Sequence, residues 1–255
     1  MTVITMTREM GSRGKDVACG LAEALGLKVV HKEVVEHHLA KRLQVHESFV
    51  HRYLEGGVRV LDNWRIDKKA LALYTAEEIF ELAERGNVLI RGWGATQLLR
   101  SVPHVVCVRV CAPLDARVRT LMARLNLDDA KTALKEIKEN DAAHSRAIRS
   151  LSQGSWKNPV LYDLVLNTER VPVEKCVDLV LGLVENPEFK ETPQSRATLA
   201  ALKRAAQQHQ LRQEGGVLPE LGPSSIHRRS LRARASQQVP EDGPTSREER
   251  DLFRY

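Results

Sequence analysis

Gly11, Gly14, Lys15 and Asp16 occur within Thr7-Arg8-Glu9-Met10-Gly11-Ser12-Arg13-Gly14-Lys15-Asp16, between the apolar pair Val3-Ile4 and a helical pattern that starts near Val17. Residues of these types at a strand-to-helix junction can hold an anion. Glycines allow backbone angles closed to other residues, so main-chain N–H groups can turn toward one point, and the helix that follows aims the positive end of its dipole there. Lys15 adds a mobile positive charge. Gly14-Lys15 fits the end of the phosphate-loop pattern GxxxxGK[ST], while Glu9 stands where the first glycine belongs and Asp16 replaces the hydroxyl residue. An acid at that position either contacts a metal or repels phosphate. Taken alone, the segment reads equally as a phosphate site or as an ordinary strand-turn-helix corner.

The elements that would position this turn alternate along the chain. Short β-like runs are expected at Val3-Thr5, Lys28-Val30, Asn87-Ile90, Val105-Val110 and Asp163-Leu166. Between them Val17-Leu25, Ala76-Arg85, Ala95-Leu99, Leu114-Leu125 and Val173-Val184 read as helices, with Gly26 and Gly86 as stops. This alternation implies an α/β fold: a five-stranded parallel sheet with helices on both faces. In such sheets ligands bind beyond the carboxyl ends of the strands, where the turn from Gly11 to Lys15 falls. Two long insertions break the rhythm, 31–74 and 126–159, and segments of that length on a compact sheet commonly serve as flaps or lids. The second is helical and charged, from Asp128 through Lys131, Lys135, Lys138 and Arg146 to Arg149.

The 255 residues are 42% hydrophobic, enough for one folded domain with a buried core. No apolar run approaches the ~20 residues that span a bilayer, and no basic-then-apolar segment opens the chain, so a cytoplasmic protein with no membrane partner is expected. Cys19, Cys107, Cys111 and Cys176 form no CxxC pair, and Cys107 and Cys111 alternate as small buried strand residues would. The net charge of +6 suits a polyanionic ligand. Much of the excess lies beyond Lys190, in a region of Gln, Ser, Gly and Pro with Arg228-Arg229, Arg232 and Arg234, expected to be a largely disordered tail at 188–255. One helix, from Thr198 to Leu211, is expected within it. Five histidines fall in the first insertion, but no HxH or HxxxH pair suggests zinc.

Four segments, taken in order, are specific: Thr7-Arg8-Glu9-Met10-Gly11-Ser12, Val88-Leu89-Ile90-Arg91-Gly92, Ala112-Pro113-Leu114-Asp115-Ala116-Arg117-Val118, and Tyr162-Asp163-Leu164-Val165-Leu166-Asn167-Thr168. With them the chain resembles the cytidylate kinase-like branch of the P-loop nucleoside monophosphate kinases over roughly residues 1–185. The resemblance implies a P-loop kinase-like domain at 1–187, with a nucleotide-binding flap at 31–74 and a helical lid at 126–159. It implies transfer of the γ-phosphoryl group of ATP, with Mg2+, to a nucleoside monophosphate, CMP or another pyrimidine nucleotide. Gly11, Ser12, Arg13, Gly14, Lys15, Asp16 and Arg124 would then bind ATP, with Asp16 toward the metal. Lys15, Arg91, Arg117, Arg146 and Arg149 would serve the reaction, Arg91 at the acceptor phosphate and the last three closing over the transferring group.

Two other readings stay open. Glu9, Asp16 and the His31-Lys32-Glu33 segment after the second strand, where the better-known cytidylate kinases carry Asp-Ser-Gly, favour a non-catalytic nucleotide-binding switch or adaptor that meets a protein partner through its tail. The basic tail could also contact nucleic acid, a role most such tails do not have.

Overall fold

Residues along the strands alternate in the face to which they turn, and both faces are apolar, so each strand must be covered on two sides. The computed structural model describes residues 1–31, 37, 39–41, 46–48, 50, 68–92, 94–151 and 155–213. Five strands, β1 (Val3–Arg8), β2 (Lys28–Val30), β3 (Val88–Arg91), β4 (Val105–Cys111) and β5 (Leu164–Asn167), form one sheet in the order β2-β3-β1-β4-β5. All four pairings are parallel, with Val3 opposite both Val88 and Val105. The α/β fold expected from the sequence, a five-stranded parallel sheet with helices on both faces, is the fold observed.

One face carries Val3, Val30, Ile90, Val105 and Cys107. It is covered by α2 (Lys68–Arg85) and α3 (Ala95–Leu99), through residues such as Ile79, Phe80, Ala83 and Leu99. The other face, with Ile4, Met6, Leu89, Val106 and Val108, is covered by α1 (Gly14–Leu25) and α6 (Val173–Glu185) through Val17, Leu21, Cys176 and Val180. Helices α4 (Leu114–Leu125) and α5 (Ala130–Leu151) follow β4 and build a smaller core of Leu121, Ala133 and Ile137, against which Met10 packs. The second insertion is therefore a helix that leans on the turn after β1.

The expected tail boundary needs correction. Residues 193–213 form a further helix, α7 (Pro193–Gln213), packed on α2. Leu199 and Ala206 are buried in the first core with Leu202 beside them, and Lys203 pairs with Glu84 at 2.6 Å. Two leucines and an alanine, at 199, 202 and 206, suffice to dock a helix that is otherwise polar. Met1 to Leu221 form one compact unit. The first insertion is described only in part, and Trp93, residues 214–221 and the second unit, Gly222–Tyr255, with its arginine cluster, lie outside the described residues.

Candidate active site

β1 ends at Arg8 and α1 begins at Gly14, so the turn between them is residues 9–13, at the carboxyl edge of the sheet. Its shape is fixed from below. The Glu9 N–H donates to Val110 O at 3.0 Å, prolonging the β1–β4 ladder by one bond. The Glu9 carboxylate is buried, and Oε1 accepts from Arg109 Nη2 at 2.9 Å. Oε2 accepts from the Ala112 N–H at 3.4 Å and lies 3.7 Å from Arg117 Nη1. Glu9 thus faces two arginines inside the protein rather than the ligand edge.

Ser12 is also turned inward and fully buried: Oγ lies 2.7 Å from Glu9 O and 3.2 Å from Val110 O, one hydroxyl proton serving the pair. From the far side, the Thr168 hydroxyl donates to Ser12 O at 2.7 Å. With its N–H donating to Glu9 O at 3.1 Å as well, Ser12 serves to shape the turn. Gly11, at φ 81°, is required: a Cβ there would lie 2.5 Å from Arg117 O. Arg13, at φ 55°, is left-handed as well. Alternation of this kind turns successive N–H groups to one side, and the amides of Gly11, Arg13, Gly14 and Lys15 have no acceptor among the described residues.

Cations surround this concavity. Arg8 packs its side chain on Gly14. Asp16, in the first turn of α1, accepts from Arg124 Nη2 at 2.6 Å and Arg13 Nε at 3.2 Å. Arg91, the last residue of β3, lies opposite Met6 in the ladder. Burial, then the nearby charges of Arg91 and Arg124, push the Arg8 guanidinium down to about 10. It stays charged at neutral pH, and Arg8, Arg91 and Arg124 form one cluster. Lys15 is exposed and lines an open groove of about 590 Å³ between α1 and α6, together with Asp16, Cys19, Glu23 and Arg124 of the cluster.

Arg117 does not reach for the ligand. It is buried, with Nε donating to Met10 O at 2.7 Å, Nη1 to Asp141 Oδ2 at 3.0 Å and Nη2 to Asp141 Oδ1 at 2.7 Å. The bidentate pair ties the turn to α5. Around it, Trp156 is buried, with Arg109 over its ring at 5.4 Å and His144 edge-on at 4.5 Å. Trp156 Nε1 donates to Ser145 Oγ at 2.9 Å, and the Tyr162 hydroxyl donates to the Trp156 carbonyl oxygen at 2.6 Å. Arg146 lies exposed on α5. Arg149 is on the same helix, and its side chain lies outside the described residues.

The structure therefore brings Gly11, Ser12, Arg13, Gly14, Asp16, Arg91 and Arg124 to one edge, with Lys15 exposed beside Asp16 and Arg124, and gives Arg117 a fastening role. Arg8, Glu9, Arg109 and Asp141 were missed as participants. Glu9 was visible as an oddity, an acid in a glycine position. Nothing marked Asp141 among the many charges of its helix, because a buried charge and a solvated one look alike in sequence.

The family model described as "Cytidylate kinase-like family" matches residues 3–170, a span that holds the whole sheet, the turn and α5. The chain belongs to the cytidylate kinase-like family. Among curated proteins of that kind, the cytidylate kinase of Pyrobaculum aerophilum is 28% identical over 184 residues, covering 71% of this chain and 91% of the relative. The cytidylate kinase of Methanocaldococcus jannaschii is 23% identical, covering 72% and 98%. A solved structure of an uncharacterised protein from Eubacterium ventriosum is 22% identical with TM-score 0.57, covering 72% of this chain and 98% of that one, which bears on the fold. The cytidylate kinase-like match ends before α6, so α7 lies beyond it. Membership in a kinase family implies ATP as the phosphoryl donor. Among the described residues no helix is long and apolar enough to cross a membrane.

Proposed function

We propose that this chain is a nucleotide kinase that moves the γ-phosphoryl group of ATP to a nucleoside monophosphate, with CMP or another pyrimidine nucleotide as acceptor. The observation that carries the reading is the cluster of Arg8, Arg91 and Arg124 beside an amide-lined turn at the carboxyl edge of a parallel sheet, inside the span matched by the family. Phosphoryl transfer spreads negative charge over several oxygens, so catalysis is mostly positioning and neutralisation by fixed donors. In this reading the turn amides hold the donor phosphates and Arg91 meets the acceptor phosphate. Arg146 and Arg149, both on the lid helix, would close over the transferring group.

Magnesium, when bound, would neutralise charge on the donor phosphates. The residues at the turn fit a modest role in holding it. Asp16 is the acid of that first helical turn, already shared by two arginines, and among the described residues no group of three His, Cys, Asp or Glu is placed to bind a metal. One carboxylate supplemented by phosphate oxygens and water is a usual environment for this ion.

The test is initial-rate transfer from magnesium-ATP to CMP, UMP, dCMP, AMP and GMP. Arg91→Ala is expected to raise the acceptor KM by about tenfold, ~1.4 kcal/mol, with the ATP KM changed by less than about threefold. A variant that raises both equally, or neither, would remove Arg91 from the acceptor. The pairing of Asp16 with Arg13 and Arg124 and the fastened Arg117 favour a second reading, a nucleotide-binding switch without turnover. It predicts ATP-dependent protection of 126–159 in hydrogen exchange and no diphosphate product.

A further inference from the structure

The register of the turn in space differs by one residue from the register read in sequence. A phosphate loop needs glycine where φ is positive, and here the residue before the helix with positive φ is Arg13, not Gly14. Gly14 is the first helical residue, with ordinary helical backbone. Setting Arg13 at the second glycine of GxxxxGK[ST] puts Arg8 at the first glycine, Gly14 at the lysine and Lys15 at the hydroxyl residue. The cation and a glycine have changed places.

The exchange is also visible in space. A Cβ on Gly14 would lie 2.8 Å from Arg8 Cβ, 3.2 Å from Arg8 Cδ and 3.3 Å from Val110 Cβ. The aliphatic arm of Arg8 therefore occupies the place that a side chain at 14 would take. Arg8 is half-buried, and among the described residues its guanidinium makes no hydrogen bond or ion pair, although Arg91 and Arg124 lie close. A partly desolvated cation beside two others is costly unless an anion joins them. Lys15 differs in exposure: it is solvated on the groove between α1 and α6, beside the Asp16–Arg124 pair.

We infer that Arg8 is the phosphate-binding cation of this turn, delivered from the end of β1 through the space that Gly14 leaves empty. The inference rests on reading the turn as a phosphate site, and it names the residue that the motif would have placed on α1. The planar guanidinium can give two parallel donors to one phosphate group, which a lysine at 14 or 15 cannot.

The experiment uses the full chain and inorganic tripolyphosphate as probe, with binding followed by calorimetry at low salt and folding by thermal unfolding. Arg8→Gly is expected to weaken binding by about tenfold or more, and Lys15→Ala by less than about threefold. Gly14→Lys alone is expected to lower the unfolding temperature, because its Cβ collides with Arg8. The double variant Arg8→Gly with Gly14→Lys removes that collision and should restore binding to within about threefold of the natural chain. Unchanged binding in Arg8→Gly with loss in Lys15→Ala would overturn the inference, as would a natural chain that binds no tripolyphosphate. Should Arg8→Gly fail to fold, the double variant decides: restored binding supports Arg8, and a folded double variant that does not bind overturns it. Arg8-dependent binding without transfer from ATP would end the kinase reading and leave this inference intact. Transfer from ATP that Arg8→Gly does not alter would do the reverse.

Discussion

At the scale of single residues, Glu9 decides what the turn can be. Its carboxylate meets Arg109 at 2.9 Å and stands 3.7 Å from Arg117, which in turn holds Asp141. Removing one member of such a buried network leaves charges without partners, which costs more than the network contributes. Glu9→Ala is expected to lower unfolding stability by about 3–5 kcal/mol in urea titration. Glu174→Ala, on the exposed start of α6, should change it by less than about 0.5 kcal/mol. Equal losses would show that Glu9 carries no network. The sequence marked Glu9 as foreign to the motif and Arg117 as a special arginine. It could not tell that they face each other, because the partners are 108 residues apart and meet only when β4 pairs with β1.

At the scale of elements, α5 is held to the sheet through Arg117, Trp156 and His144. Burial holds the His144 imidazole down to about 4, the charge of Asp141 acting to raise it and that of Arg8 to lower it. In the unfolded chain the same imidazole takes its proton near 6.5. Between those values the unfolded state binds more protons, so the contribution is complete above about pH 6.5 and is lost as pH falls toward 4. Urea unfolding from pH 7.5 to 4.5 should show this as up to about 3 kcal/mol that a His144→Phe variant lacks. Parallel pH profiles for the two proteins would contradict it. Helix α7 makes a separate prediction. Truncation after Pro187 exposes the surface under Leu199, Leu202 and Ala206 and should lower stability by several kcal/mol, about 1.5–3 for each large apolar side chain unburied. An unchanged denaturation midpoint would show that α7 is dispensable.

The strands and most helices were legible, because continuous apolar runs and glycine stops are local signals. α3 and α4 have the expected bounds, and β2 does too. β1 runs on to Arg8 and α2 starts earlier than expected, since sheet and helix packing override the local pattern at their ends. The docking of α7 was illegible for a different reason. Its few apolar residues are diluted by Ala, Gln and Arg, and only α2 opposite them gives their spacing meaning. The register of the turn was hidden because two registers differ by one residue, and only the backbone angle at Arg13 separates them.

At the scale of the whole molecule, a net charge of +6, much of it beyond Lys190, favours polyanionic ligands in general. Transfer from ATP to a nucleoside monophosphate can be read by phosphorus NMR of a single mixture. The protein is incubated with magnesium-ATP and CMP, then with UMP in its place. ADP and the matching nucleoside diphosphate should grow in equal amounts with one of the two acceptors. ADP accumulating without the second diphosphate, or ATP left intact with every acceptor, would contradict it.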